Sequence, residues 1–161
     1  MKTLIRIMIL ALLAITSCIK RPAEYTGPEI AVGDHIPTFD LQTINGKTIS
    51  SSTLPKRGAV IVFFNTWCPD CHNTLPVIQH WADKDTTGDT MYLCIARGQS
   101  NEEIRAFWQE NGYTIDAAGD PDKSIYNSFT GNNGYGVPVV YIIDGAGCCL
   151  RRILQTEKLE M

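Results

Sequence analysis

AVIVFFNTWCPDCHNTLP, residues 59–76, changes character halfway along. From Ala59 to Trp67 the side chains are mostly apolar, β-branched or aromatic, the composition of a strand buried on both faces of a sheet. From Cys71 onward Leu75, Ile78, Trp81 and Ala82 recur at helical spacing, with Gln79, His80 and Asp83 on the other side. The stretch predicts a strand handing over to a helix, with Cys68 and Cys71 at the junction. Pro69 suits the first helical turn, where its missing donor costs nothing. Pro76 falls inside the helix, where it removes a backbone donor and predicts a kink.

Cys-x-x-Cys-His admits two chemistries, covalent haem attachment or a redox dithiol. Haem usually needs a second axial ligand well downstream, and the candidates are poor. Met91 lies in a predicted strand, Met161 is the last residue and His80 shares the motif's own helix. A strand feeding the motif is also foreign to small helical cytochromes. The dithiol reading uses the whole stretch. Cys68 at a helix N-terminus meets unpaired N–H groups and the positive dipole end, which stabilise a thiolate and make it the nucleophile. Cys71, along the first turn and deeper, is the resolving thiol. Asp70 reads either as a solvated first-turn residue or as a negative charge that disfavours the thiolate and points to a more reducing couple. His72 is then a partly exposed helix residue.

With 161 residues and 44% hydrophobic side chains, the chain suits one globular domain. Seventeen acidic against fourteen basic residues give a formal charge of −3, and no basic run could follow a phosphate backbone, so nucleic acid is not an expected partner. Residues 1–18, MKTLIRIMILALLAITSC, place Lys2 and Arg6 ahead of an apolar run and read as a secretory signal. Their end resembles a bacterial lipobox, which implies a lipid on Cys18 and an exported domain held at a membrane. Residues 19–30, with two prolines and a glycine, read as a flexible tether, and 31–161 as the domain. Disulfides persist outside the cytoplasm, so the other cysteines matter. Cys94 lies in an apolar run and reads as buried and inert. The neighbours Cys148 and Cys149 would be strained if bridged to each other and read as unpaired.

The remaining elements follow from pattern. Alternating apolar positions around Asn45-Gly46 predict a hairpin. Thr90 to Ala96 reads as a strand, and Ser100 with Glu103 forms a capping box opening a helix that carries Ile104, Phe107 and Trp108 and stops at Gly112. A shorter helix carrying Ile125 and Phe129 starts at Asp120-Pro121-Asp122, and 131–136 is loop. Strands Val139–Ile143 and Cys148–Ile153 close the chain around Asp144-Gly145-Ala146-Gly147. The expected fold class is α/β, a central mixed sheet flanked by helices. Trp81, Phe107 and Trp108 read as core and rim aromatics, Tyr135 as loop, and His35 and His80 as histidines with no partner pattern.

FFNTWCPDCHNTLP, with Pro76 five residues past the second cysteine, resembles the motif region of thioredoxin-fold proteins. Gly136-Val137-Pro138-Val139-Val140-Tyr141-Ile142-Ile143-Asp144 resembles their second landmark, a cis-proline opening a strand. VGDHIPTFDLQTINGKTISSSTL, from Val32, is similar to the exported TlpA/ResA-like branch of redoxin (AhpC/TSA-like) domains, and the likeness runs to Ile153. The resemblance implies a thioredoxin-like fold with an N-terminal β-hairpin extension, catalytic Cys68 and Cys71, and substrate contacts from Trp67, Val137 and Pro138. It implies no cofactor beyond a redox-active Cys68–Cys71 disulfide. The implied partners are disulfide-bearing exported proteins and an upstream dithiol donor, with the protein acting as a reductant.

Three departures stand out. Val62 occupies the place of a buried aspartate that many relatives use as a proton relay, and Thr74 that of a glutamate common near ResA. Only Gln155 to Met161 follow the last strand, so the expected C-terminal helix is short or missing. Two other functions compete. A peroxiredoxin needs Pro-x-x-x-Thr-x-x-Cys, and the matching positions here are Ile61 and Asn65. A copper or zinc carrier could use Cys68 and Cys71 with His72 or the Cys148–Cys149 pair.

Overall fold

The computed structural model describes residues 27–154. Its centre is β3, Ala59–Phe64, all six residues of which are buried. Residues buried on both faces need neighbours on both sides and layers above and below. The sheet supplies the neighbours in the order β5-β4-β3-β6-β7, with β4 at Met91–Arg97, β5 at Asp116–Asp120, β6 at Val139–Ile143 and β7 at Cys149–Leu154. β4 runs parallel to β3 with Val62 beside Cys94, and β6 antiparallel with Val62 beside Val140. β5 adds in parallel to β4 and β7 antiparallel to β6. The sheet is mixed, as the alternation of elements implies.

The layers are legible in consecutive aromatic residues. Phe63 and Phe64 point to opposite faces because side chains alternate along a strand. Phe63 packs edge-on against Tyr126 and Phe129 of α3, Ser124–Thr130. Phe64 packs against Phe107 and Trp108 of α2, Asn101–Glu110. The first helix, α1 at Pro69–Lys84, lies on the α2 side, since His72 stacks on Phe107 and Gln79 bonds to Thr114. The hairpin of β1 (Asp40–Gln42) and β2 (Thr48–Ser50) forms a separate two-stranded sheet, and the nearby Phe39 meets Phe129. This is a thioredoxin-like fold with an N-terminal hairpin.

The structure moves several boundaries. β3 ends at Phe64, so Asn65, Thr66 and Trp67 form a turn before α1. Asp116-Ala117-Ala118-Gly119-Asp120, without a β-branched or aromatic side chain, is nevertheless a strand, an element absent from the sequence reading. Its register comes from β4 rather than from its own propensity. At the N-terminal side, packed structure reaches back into the segment read as tether: Ile30 is buried and its N–H bonds to Phe129 C=O at 3.0 Å. The expected short or missing C-terminal helix, the signal segment and Cys18 concern residues outside those described.

Candidate active site

The site forms where β3 hands over to α1. Cys68 is the N-cap of α1 in extended conformation, and Pro69 opens the helix. An N-cap side chain accepts a hydrogen bond from an N–H that the helix start leaves unpaired. Here the acceptor is sulfur: Cys71 N–H reaches Cys68 Sγ at 3.3 Å. Cys71 itself is wholly buried, whereas Cys68 keeps 9% of its surface and Trp67 beside it is 66% exposed. Cys68 is therefore at the rim rather than fully exposed. Both cysteines are free thiols. Burial pushes the Cys71 thiol far up, helped by the Cys68 sulfur and opposed by the Asn65 backbone, so Cys71 holds its proton.

The second landmark meets the first from across the sheet. Val137–Pro138 is a cis peptide just before β6, and Cys68 Sγ donates to Val137 C=O at 3.2 Å. Cys68, Cys71, Val137 and Pro138, the residue before β6, are thus together, with the exposed Trp67 next to Cys68 in the chain.

The turn between β3 and α1 is held through Thr66. Its N–H donates to Gln99 Oε1 at 3.0 Å, and its hydroxyl accepts from Gln99 Nε2 at 3.0 Å. Its carbonyl lies 2.6 Å from His72 Nε2, and the His72 ring stacks on Phe107 at 5.3 Å. Asn65 donates its side-chain amide to Arg97 C=O. His72 is thus exposed yet tied to the turn, and Gln99 is only 2% exposed. Sequence reasoning assigned no role to Gln99. The available signal was a polar residue between the β4 strand pattern and the Ser100 capping box, at the carboxyl end of a parallel strand.

Other predicted residues lie apart. Val62 is buried in β3, and Thr74 Oγ1 bonds to Asp70 C=O at 3.0 Å. Cys94 is buried within β4. Cys149 is buried in β7, while Cys148 is half-buried, with its Sγ 3.6 Å from His35 Nε2. His35 therefore has a neighbour its sequence context did not suggest.

The AhpC/TSA family model matches residues 32–149, a span that includes both cysteines and the cis-proline. The chain belongs to the AhpC/TSA family. Within that family it is similar to the thiol-disulfide oxidoreductase ResA of Bacillus subtilis (strain 168), with 23% identity over 135 residues, 83% of this chain and 74% of that relative. It is also similar to the thiol:disulfide interchange protein DsbE of Pseudomonas fluorescens biotype C, at 27% over 128 residues, 78% of this chain and 67% of the relative. Among solved structures, a thioredoxin-family thiol:disulfide interchange protein from Chlorobium tepidum TLS superposes with a TM-score of 0.65. It is 22% identical and covers 76% of this chain and 86% of its own. The AhpC/TSA domain and the dithiol geometry thus agree with the expectation from residues 59–76.

Proposed function

We propose that this AhpC/TSA-family chain is a thiol-disulfide oxidoreductase that reduces disulfides in exported proteins through Cys68 and Cys71. The observation that carries the reading is the position of Cys68 Sγ, between the Cys71 N–H and the Val137 carbonyl. One side of the sulfur offers a donor to a thiolate. The other presents the Val137 backbone, at the bend before β6, to a bound polypeptide.

Cys68 is the sulfur a client can reach, since Cys71 has no exposed surface. Its thiolate attacks one sulfur of the client disulfide, forming a mixed disulfide and releasing the other client sulfur as a thiolate. Cys71 then gives up its proton and attacks Cys68 Sγ. This closes the Cys68–Cys71 disulfide and releases the second client thiolate. Two electrons have passed to the client, and an upstream dithiol returns them. With Val62 in place of an acid, the client thiolate released first is the base at hand for the Cys71 proton.

The names of the ResA and DsbE relatives support thiol-disulfide exchange. The peroxide reading lacks its threonine, because Asn65 stands at that position with its amide on Arg97 C=O. A closed zinc site would need more ligands. Among the described residues no group of three or more His, Cys, Asp or Glu is assembled, and His72 Nε2 is engaged with Thr66 C=O. Lipidation of Cys18 and anchoring outside the cytoplasm complete the proposal, supported by the signal-like residues 1–18.

Cys68→Ser should abolish insulin reduction, and Cys71→Ala should accumulate mixed disulfides with exported clients. Retained activity in Cys68→Ser overturns the site. A reduction potential near about −120 mV, that of a strong oxidant, overturns the direction. Mass spectrometry of the mature N-terminus tests the acyl group on Cys18.

A further inference from the structure

The loop that delivers Val137 and Pro138 is not held by its own residues. Residues 131–136 carry three glycines and two asparagines, which leaves Tyr135 as the one large side chain the loop has to pack. Three elements grip it from outside. Tyr126 of α3 donates its hydroxyl to Tyr135 C=O. The Tyr135 hydroxyl in turn donates to Glu29 Oε2 at 3.0 Å, and Asn133 Nδ2 donates to the same oxygen at 3.0 Å. The other carboxylate oxygen of Glu29 pairs with Arg152 of β7, whose guanidinium also lies 5.6 Å from the centre of the Tyr135 ring.

Glu29 belongs to the segment that leads into the domain, and the backbone there is pressed close to the loop. A methyl group at Gly131 would come within 2.5 Å of Glu29 N, and the next residue, Ile30, is bonded to Phe129 C=O. Glu29 thus spends one oxygen on β7 and the other on two loop side chains. Tyr135 is held at both its carbonyl and its hydroxyl, two residues before the Val137 carbonyl that faces Cys68. A carboxylate with charged and neutral donors at fixed positions makes stronger bonds than a neutral acceptor does.

We infer that Glu29 is a positioning residue for polypeptide substrates: it fixes, through Tyr135 and Asn133, the loop whose Val137 backbone receives the client strand. The inference rests on the proposed reading of Val137 as a client-binding backbone. Its consequence is a split in kinetics. Freeing the loop makes the client order it on binding, which raises KM. The sulfur chemistry at saturating client is retained.

The test compares wild type, Glu29→Ala and Tyr135→Phe as full-length chains, in insulin reduction and in backbone hydrogen exchange followed by mass spectrometry. Glu29→Ala should raise KM for insulin roughly tenfold and Tyr135→Phe severalfold, with kcat within about twofold. Exchange should quicken in peptides covering 131–137 and stay unchanged across β3. An unchanged KM overturns the inference. So does a matched loss in kcat and KM with faster exchange throughout the domain, the signature of a general structural role. Should the wild type fail to reduce insulin, the functional reading falls and exchange alone judges the loop contact. Locally faster exchange in Glu29→Ala then upholds the contact, and unchanged exchange removes it.

Discussion

Gln99→Leu isolates what holds the turn between β3 and α1. Leucine keeps roughly the bulk of glutamine in a position that is 2% exposed, so the perturbation is chemical rather than a cavity. Two good contacts disappear, Thr66 N–H to Oε1 and Nε2 to Thr66 Oγ1, both at 3.0 Å. The hydroxyl can rotate toward another acceptor, but the Thr66 N–H is fixed and loses its partner. An unsatisfied backbone donor costs about 1–3 kcal/mol when buried. Thr66 is half-buried, which places the loss toward the lower end. Burying leucine in place of an amide offsets part of it. The expected net destabilisation is about 1–2 kcal/mol, or roughly 3–6 °C in Tm for a domain of this size.

Urea unfolding at constant m-value measures the change, and a cycle with Thr66→Val assigns it. The hydroxyl–amide pair should show a coupling of about 0.5–1.5 kcal/mol. A Gln99→Leu variant within about 0.5 kcal/mol of wild type, with strictly additive double-mutant energies, would refute the claim that this amide secures the turn.

His72→Ala should change stability by less than about 1 kcal/mol in urea titration, because the Thr66 carbonyl it releases can be hydrated at an exposed position. Gly119→Ala should destabilise by about 1–3 kcal/mol by thermal unfolding, since the added methyl would sit 2.4 Å from the Gln99 carbonyl oxygen. Alkaline pH should weaken the fold. Burial raises the thiols of Cys71 and Cys94 above their ordinary value of about 9.0, so above that pH the unfolded chain ionises them while the native state keeps both protons. Stability is therefore fully present below about pH 9 and falls above it, with a slope of up to about 1.4 kcal/mol per pH unit for each thiol. Urea midpoints between pH 8 and 10.5 measure the slope.

The legible parts of the molecule were those written in local periodicity. β3, the N-cap position of Cys68 and the Ser100–Glu103 capping box each depend on residues close together in the chain; the cap and the box formed as read, and β3 formed three residues shorter, ending at Phe64. β5 was invisible because Ala117, Ala118 and Gly119 have no strand preference of their own. The close approach of the Gln99 carbonyl leaves no room for a side chain at Gly119, and β4 provides the pairing. The supports of the site were missed for a related reason. Gln99, His72 and Glu29 act on residues 33, 6 and 106 positions away in the chain, and no periodic pattern marks such a partner. Trp67 continues the apolar run of β3, so only the turn at Asn65–Thr66 reveals that it lies outside the strand.

The 69-residue separation between Cys68 and the carbonyl it touches bears on how the molecule is made. Until β6 docks beside β3, the dithiol lacks half of its surroundings, and the cysteines at 68, 71, 94, 148 and 149 are five interchangeable thiols on an open chain. Sheet closure sorts them. It withdraws Cys71, Cys94 and Cys149 from solvent and leaves Cys68 at the rim and Cys148 half-covered. Long-range pairing of this kind is slow to form. In oxidising surroundings maturation is therefore a race between β3–β6 docking and stray cross-linking, and a prompt fold is itself the safeguard against wrong bridges.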